Sequence, residues 1–315
     1  MKGRMKGRIQ VILKSSRLPF LALSLVSIAF AASSVAFLAD ARGLYQMAPD
    51  FSLLPWLFAG ALSAHLSVNL FNEYWDFKSG LDFNTQRTPF SGGSGALPEQ
   101  PFALHSVLWA AIVCLLLTAF IGIWLLSLTY QRFGVLNIEL LLIGCLGLAL
   151  VVIYTGPLNR QPLLCWAAPG LGFGGLMLYG TESVLTGNLS LAMLPSALIV
   201  FVLSSNLLLL NQLPDIDADQ AVGRRHLWIV KGEAYALNLY LIATCLIPLM
   251  IFIGIAYTQW PLLSLIALLP WSLTLFAWRG ARRHRKKIVQ HPAYLAMNVI
   301  ACLLVPLCLS VVLIV

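Results

Sequence analysis

Amide and carboxylate side chains recur at helical spacing at the end of a long apolar run, in the segment 72–82. The segment reads Asn-Glu-Tyr-Trp-Asp-Phe-Lys-Ser-Gly-Leu-Asp. Asn72 and Asp76 lie four residues apart, which places both on one face of a helix. Gly80 can end that helix, because glycine tolerates a left-handed backbone, and the chain can then return Asp82 to the same side. The spacing predicts one polar site built from these three residues.

A second acidic motif ends another apolar run in the other half of the chain. Asn211, Asp215 and Asp219 lie at i, i+4 and i+8, so one continuous helix would carry all three on a single face. Both motifs therefore contain Asn-x-x-x-Asp and a further Asp. We interpret them as opposite walls of one site. The shared pattern also predicts two repeated halves at about 18–156 and 163–277, followed by a last helix at 294–315.

Oxygen ligands gathered in this way predict a site for a divalent cation. The carboxylates would repel one another unless cations lay between them, and Mg²⁺ is commonly held by one or two carboxylates together with substrate phosphates. We therefore expect Mg²⁺ to hold a diphosphate between the two motifs. The predicted metal ligands are Asn72, Asp76, Asp82, Asn211, Asp215 and Asp219. The predicted diphosphate ligands are Arg17, Asn72, Lys78, Arg87, Arg160, Asn211 and Arg224.

The composition identifies the chain as a polytopic membrane protein. Its 315 residues are 59% hydrophobic and only 10% charged, whereas about a quarter of the residues in a soluble domain are charged. A spanning helix needs about 20 mostly apolar residues. Nine apolar runs predict an all-α fold, with nine transmembrane helices in one bundle around a central cavity open to the cytoplasmic side. The predicted spans are 18–38, 51–71, 102–128, 138–154, 163–184, 191–213, 234–256, 261–277 and 294–315, of which the fifth is rich in glycine and the eighth is short.

The basic residues predict the orientation of this bundle. With the N-terminus in the cytoplasm, every Lys and Arg except Arg42 and Arg132 falls in a cytoplasmic segment, as the positive-inside rule requires. Both acidic motifs then lie at the cytoplasmic face of the cell inner membrane. We interpret the basic segment 279–287 as a contact with anionic lipid headgroups and not with nucleic acid. The sequence indicates no obligatory protein partner.

A diphosphate bound in front of an apolar helix bundle predicts a substrate with a lipid tail. An isoprenoid diphosphate would place its head at the loops and its chain among the helices. Three alternatives remain open: ordinary ion pairs between the acids and the basic loops, a lipid-binding scaffold, and an ion-coupled transporter. Transporter acids typically lie near the bilayer midplane, whereas these acids lie at the ends of apolar runs. Arg17 is either an anion ligand or a positive-inside anchor.

At these residues the sequence resembles the UbiA superfamily of intramembrane prenyltransferases, over nearly the whole chain. The first motif of that family is Asn-Asp-x-x-Asp with a further Asp, and here Glu73 replaces the second-position Asp. The glycine-containing interval between Asp76 and Asp82 is most similar to the 1,4-dihydroxy-2-naphthoate polyprenyltransferase branch of menaquinone synthesis. That branch follows its second motif with Gly-Lys-x-Thr-Leu, where this chain has Gly-Arg-Arg-His-Leu and His226 replaces Thr. The stretch Tyr-Thr-Gly-Pro from Tyr154 resembles the branch's Tyr-Thr-Gly-Gly-Pro.

The resemblance implies ionisation of an allylic diphosphate and attack on the carbocation by an electron-rich aromatic ring. Mg²⁺ and basic residues would stabilise the leaving diphosphate, while the bundle would exclude water. The residues given catalytic roles are Asp76, Asp82, Asp215, Asp219 and Tyr154. Tyr154 would shield the cation with its ring face, or it is an ordinary aromatic residue of the membrane interface.

The function expected from the resemblance is Mg²⁺-dependent transfer of a polyprenyl group to an aromatic acceptor similar to dihydroxynaphthoate, in quinone or related prenyl-lipid synthesis. The partners are then a polyprenyl diphosphate, the acceptor and the lipid bilayer. Hydroxybenzoate, homogentisate, a tetrapyrrole or a lipid alcohol are alternative acceptors.

Overall fold

The computed structural model describes residues 2–85, 87–88 and 90–315. This part of the chain is helical and contains no strand, which confirms the predicted all-α class. Short 3₁₀ turns connect several helices, and a π-helical segment, Leu171–Leu176, joins the helices Pro162–Gly170 and Met177–Thr186 without a break. The helices are α1 (Lys2–Ser15), α2 (Ala22–Arg42), α3 (Leu54–Ser79), α4 (Ala96–Glu99), α5 (Leu104–Phe133), α6 (Ile138–Ile153), α7 (Pro162–Gly170), α8 (Met177–Thr186), α9 (Leu194–Asn211), α10 (Ile216–Ala221), α11 (Leu227–Val230), α12 (Glu233–Tyr257), α13 (Leu268–His284) and α14 (Pro292–Val312).

Within the described residues, eight helical stretches are long and apolar enough to cross a membrane. They are Leu18–Arg42, Phe51–Ser79, Pro101–Phe133, Pro162–Thr186, Leu191–Asn211, Glu233–Tyr257, Leu262–Gln290 and Pro292–Val312. The predicted span 138–154 corresponds to α6, an apolar helix of 16 residues. At 1.5 Å per residue it is about 24 Å long, shorter than the hydrocarbon core of a bilayer. The count of nine spans, like the pair of repeated halves, stays a prediction.

The eighth predicted span is longer than expected from the sequence. We predicted a short span at 261–277, but the helical stretch Leu262–Gln290 contains 29 residues. Its α-helical part carries Arg282 and Arg283 in the last turn. Cationic side chains stabilise the C-terminal end of a helix by interacting with its dipole. The first part of the basic segment therefore extends the α-helix as far as His284, and Arg285, with φ 51°, ends it.

Helix α9 forms the centre of the bundle, packed against α7, α12 and α14. The glycines of the fifth predicted span allow close contact between that span and α9. A Cβ atom at Gly174 would overlap backbone atoms of Ala197 and Phe201 on α9, and a Cβ at Gly170 would also overlap Phe201. Small residues at these two positions therefore let the backbones approach, as predicted from the sequence. Gly172 lies on another face, where a Cβ would meet only the Leu150 side chain, at an ordinary distance.

Candidate active site

A cavity of about 660 Å³ lies inside the bundle and has a polar end and a long apolar wall. The polar end lies where α3 and α9 finish. The predicted site residues that line the cavity are Arg17, Asn72, Asp76, Asp82, Tyr154, Asn211, Asp215, Asp219 and Arg224. The apolar wall includes Leu57, Ile121, Leu125, Leu148, Val151, Leu176 and Val184. The two acidic motifs therefore share one cavity, as their common pattern predicts.

The first motif has the geometry that its spacing predicts. Asn72 and Asp76 lie one turn apart near the end of α3, and the helix stops at Gly80, whose φ of 81° is left-handed. A 3₁₀ turn, Leu81–Phe83, then returns the chain, and Asp82 is only 3% exposed at the cavity wall. The predicted role of Gly80 as a helix terminator is confirmed.

The second motif does not form the single helix that we predicted. Helix α9 ends at Asn211, and α10 begins at Ile216. The interruption contains Pro214, which lacks an N–H donor and disfavours helical backbone at the residue before it. Asp215 lies just before α10, and the Asp219 N–H donates to its carbonyl oxygen at 2.8 Å. The three side chains still line one cavity, but a turn brings them together.

Arg224 connects the two motifs. Its Nη1 donates to Asp219 Oδ1 at 2.9 Å, and its Nη2 donates to the carboxylate of Asp76. His226 Nε2 lies 3.0 Å from the other oxygen of Asp219, so both oxygens of that carboxylate have partners. Burial lowers the pKa of Arg224, but the carboxylates of Asp76 and Asp219 raise it by more. The guanidinium is therefore a permanent cation between two acidic walls.

Asp82 and Asp215 carry the perturbed carboxyl groups of the site. Burial raises the pKa of Asp82 to about 7, with further increases from the charges of Glu73 and Asp76. Burial also raises the pKa of Asp215 to about 7, aided by Asp219 and opposed by a hydrogen bond from the Gly92 N–H. Both groups ionise near neutral pH, which is typical of functional sites where desolvation and like charges act together.

The donor set fits a hard cation. In the described part of the chain, Asp82 Oδ2, Asn211 Oδ1 and Asp215 Oδ1 are buried without hydrogen-bond partners, although such groups usually have one. Oxygen atoms of carboxylates and carboxamides are the ligands that Mg²⁺ uses. Among residues 2–85, 87–88 and 90–315, no three Asp, Glu, His or Cys side chains converge on one point. Mg²⁺ bound here would therefore be held by one or two of these carboxylates together with amide and phosphate oxygens.

The predicted basic ligands divide into two groups. Arg17 lines the cavity and has a left-handed backbone, with φ 47° and ψ 51°, a conformation that costs a residue with a Cβ about 1–2 kcal/mol. Lys78, Arg87 and Arg160 are exposed and lie outside the cavity lining. Arg87 Nη1 pairs with Glu99 Oε1 at 3.4 Å. The structure thus brings Arg17 and Arg224 to the acids and leaves the other three on the surface.

Tyr154 and His65 also lie at the wall of the cavity. Tyr154 follows the last residue of α6, and its amide donates to Leu150 O at 3.0 Å, which places its side chain at the cavity wall. His65 also lines the cavity, and its Nδ1 lies 2.9 Å from Ser24 Oγ. The buried imidazole of His65 therefore has a hydrogen-bond partner.

Glu73 has a contact that we did not predict. It is 1% exposed, accepts from the Ser94 N–H at 3.3 Å and also accepts from the Ser94 hydroxyl. Its neighbours Asn72 and Asp76 line the cavity, but Glu73 lies outside the lining. The replacement of Asp by Glu was the signal in the sequence, since the longer side chain can reach a different segment.

Comparisons with known proteins identify the family of the chain. The model of the UbiA prenyltransferase family matches residues 29–299. The chain is 24% identical over 236 residues to a 1,4-dihydroxy-2-naphthoate octaprenyltransferase of Bacillus subtilis, covering 74% of this chain and 70% of that protein. It is also 24% identical over 272 residues to a protein of the same description from Haemophilus influenzae, covering 82% and 83% of the two chains.

Solved structures show the same fold at lower identity. A UbiA homologue from Aeropyrum pernix K1 superposes with a TM-score of 0.68 at 16% identity, covering 92% of this chain and 96% of that one. A UbiA homologue from Archaeoglobus fulgidus, bound to GPP and Mg²⁺, gives a TM-score of 0.64 at 14% identity, with coverages of 97% and 100%. The family match covers most of the chain, and the chain is therefore a prenyltransferase that belongs to the UbiA family.

Proposed function

We propose that the protein transfers a polyprenyl group from an isoprenoid diphosphate to an aromatic acceptor similar to dihydroxynaphthoate, with Mg²⁺ as cofactor. The observation that carries this proposal is the shared cavity, in which two acidic motifs face each other beside a long apolar wall. The apolar wall suits a prenyl chain, and the acidic end suits a diphosphate with its cation. The two curated relatives, both described as 1,4-dihydroxy-2-naphthoate octaprenyltransferases, favour this acceptor over hydroxybenzoate or homogentisate.

The side chains of this site would hold the metal and the leaving group. Asp82, Asn211 and Asp215, whose unpartnered oxygens are available, would bind Mg²⁺ together with Asn72, Asp76 and Asp219. When bound, Mg²⁺ would neutralise negative charge on the departing diphosphate. Arg17 and Arg224 would add charge-assisted hydrogen bonds to the same phosphate oxygens. Lys78, Arg87 and Arg160 would contribute only after a conformational change, because they lie outside the cavity lining.

The chemistry follows from the arrangement of charged and apolar groups. The allylic C–O bond breaks, and its electron pair leaves with the diphosphate oxygen. A ring carbon of the acceptor then attacks the allylic carbocation, a C–C bond forms, and the ring loses a proton or its carboxyl group. The apolar wall excludes water that would quench the cation. The ring of Tyr154, at the cavity wall, would stabilise the cation through its π face.

The orientation of the site belongs to the same proposal. We place the acidic end at the cytoplasmic face of the inner membrane, because the basic loops would then lie inside. There it would meet water-soluble Mg²⁺, and the aromatic acceptor could enter from the same side. The prenyl chain would lie among the helices.

The direct test is an assay of purified protein with one polyprenyl diphosphate and a panel of dihydroxynaphthoate, hydroxybenzoate and homogentisate. We expect Mg²⁺-dependent release of diphosphate and prenylation of the naphthoate. Asp76→Ala and Asp215→Ala should each abolish turnover. Asp217→Ala is the matched control, because its exposed side chain pairs with Lys286 at 2.5 Å, away from the cavity. Full turnover in both cavity variants, or ion-coupled solute uptake without diphosphate release, would overturn the proposal.

A further inference from the structure

A glycine-rich segment, residues 91–95, crosses the mouth of the cavity between the two acidic motifs. We call it the glycine strap. Its three glycines, Gly92, Gly93 and Gly95, all have left-handed backbones, with φ of 82°, 74° and 71°. Ser91, Gly92 and Gly93 line the cavity. A backbone of this kind can follow a path that residues with a Cβ would resist.

The glycine strap touches both acidic motifs. The Gly92 N–H donates to Asp215 Oδ2 at 3.1 Å, which leaves Oδ1 of that carboxylate free. A Cβ at Gly93 would overlap the carboxylate of Asp82 and would lie 3.8 Å from Arg17 Nη2. The strap is therefore in direct contact with one carboxylate from each wall. A shift of the strap must move or release both of them.

Glu73 holds the strap from the side that faces away from the cavity. One carboxylate oxygen accepts from the Ser94 N–H and the other accepts from the Ser94 hydroxyl. The same hydroxyl accepts from the Ala96 N–H at 3.0 Å, at the first residue of α4. Both oxygens of the buried carboxylate are thus satisfied, as a buried charge requires. Glu73 joins α3, which carries the first motif, to the strap that contacts the second.

We propose that Glu73 is a positioning residue that acts through Ser94 and the glycine strap to set how Asp82 and Asp215 face each other. The proposal rests on the proposed function, since the carboxylates it positions are the expected ligands of Mg²⁺ and diphosphate. The alternative role for Glu73, a direct metal ligand, requires the side chain to leave Ser94 and rotate into the cavity. Its two satisfied oxygens oppose that movement.

The side chain at this position must reach Ser94, and it need not be charged. Glu73→Gln keeps the length, and its amide can accept from the Ser94 N–H and donate to the hydroxyl. Glu73→Asp keeps the charge but is one methylene shorter, and hydrogen bonds weaken steeply outside their normal distance range. A metal ligand would show the opposite order, because Asp binds Mg²⁺ and an amide replaces a carboxylate poorly.

The experiment compares Glu73→Gln, Glu73→Asp and Ser94→Ala in the full chain. We expect Glu73→Gln to keep KM for the polyprenyl diphosphate within about twofold, while Glu73→Asp and Ser94→Ala raise it about tenfold with a smaller change in kcat. The double variant Glu73→Asp/Ser94→Ala should be no worse than Glu73→Asp, because both changes break one connection. Asp217→Asn is the control for loss of an acidic charge, since Asp217 is exposed, pairs with Lys286 at 2.5 Å and lies outside the cavity lining.

A second measurement does not depend on turnover. Amide hydrogen exchange of residues 91–95 should be faster in Glu73→Asp and Ser94→Ala than in Glu73→Gln and the parent protein. If Glu73→Asp or Ser94→Ala unfolds because a charge is left unpaired, Glu73→Gln/Ser94→Ala removes both that charge and the hydroxyl, and we expect it to show the same faster exchange. If the parent protein fails to turn over, the proposed function fails, while the exchange result still decides the role of Glu73.

Three results would overturn the positioning role. Normal KM and normal exchange in Glu73→Asp would show that the strap does not depend on this side chain. Loss of turnover in Glu73→Gln with retention in Glu73→Asp would identify a required carboxylate and favour a metal ligand. Faster exchange without any change in KM would show that the position of the strap does not matter to the diphosphate.

Discussion

The guanidinium of Arg224 donates to the carboxylate of Asp76, a residue 148 positions earlier in the sequence. The same guanidinium pairs with Asp219 at 2.9 Å. One cation therefore connects the end of α3 to the segment that follows α9. Buried carboxylates from two separate motifs would otherwise repel each other, so this contact explains how both walls of the cavity coexist in the folded protein.

Arg224→Ala should destabilise the protein substantially. The change leaves Asp76 and Asp219 at the cavity without their shared cation, and removal of one partner of a buried ion pair costs about 3–5 kcal/mol. Arg224 is 22% exposed, so the lower end of that range is expected. The measurement is the unfolding transition in detergent. Arg225→Ala is the matched control, because Arg225 is exposed; equal stability of the two variants would contradict this role.

Binding of Mg²⁺ should weaken as the pH falls through about 7. The pKa values of Asp82 and Asp215 are both raised to about 7, so each carboxyl gains a proton below that pH and must lose it to bind a metal. Between pH 8 and pH 6 we expect affinity to fall about tenfold for each carboxylate that ligates. Calorimetric titration of Mg²⁺ into the protein, in the presence of a non-hydrolysable diphosphate, would measure this change in affinity.

The control for the pH effect is Asp215→Asn, which removes one of the two titrating groups. At pH 7 a carboxyl with a pKa of about 7 is half protonated, so this variant should release about half a proton fewer on metal binding, and its affinity should change less with pH. Proton release is measured by repeating the titration in buffers of different ionisation enthalpy. A parent affinity that stays constant from pH 6 to pH 8 would exclude both carboxylates as ligands that ionise in this range.

Local rules were sufficient to predict the first motif. Asn72 and Asp76 share a helix face because α3 is regular, and Gly80 ends the helix because its φ of 81° suits glycine. The return of Asp82 to the cavity follows from these two facts. The spanning helices could also be predicted from the sequence, because a run of about 20 apolar residues can adopt few structures in a membrane. Helix lengths were less certain where basic residues extend a helix beyond its apolar part.

The turn in the second motif and the positions of Arg87 and Glu73 could not be predicted from residue spacing alone. Pro214 was a local sign that the segment after Asn211 is not one helix, and it outweighs a four-residue repeat. Arg87 lies near the acids in the sequence, but it pairs with Glu99. Glu73 lies beside a cavity residue, yet it faces the glycine strap. The direction of these side chains is decided by contacts with other segments, which helical periodicity does not predict.

Gly93→Ala should weaken diphosphate binding more than it lowers the stability of the protein. The new Cβ would overlap the carboxylate of Asp82, and the φ of 74° is unfavourable for alanine. We expect KM for the diphosphate to rise at least about tenfold, because Asp82 or the glycine strap must move. Gly134→Ala is the matched control: its φ is 73° and nothing lies within 4 Å of the added Cβ. That variant should lose about 1–2 kcal/mol of stability and keep its KM.

Gly174→Ala should destabilise the bundle without entering the cavity. The added Cβ would overlap backbone atoms of Phe201 and Ala197, and backbone cannot move aside as a flexible side chain can. Overpacking of a tight helix contact costs about 1–3 kcal/mol. Gly122→Ala is the control, because nothing lies within 4 Å of its Cβ and alanine favours a helix over glycine by about 1 kcal/mol. We expect Gly174→Ala to unfold at lower temperature than the parent protein and Gly122→Ala at an equal or higher temperature. The reverse order would show that α7, α8 and α9 do not depend on this close contact.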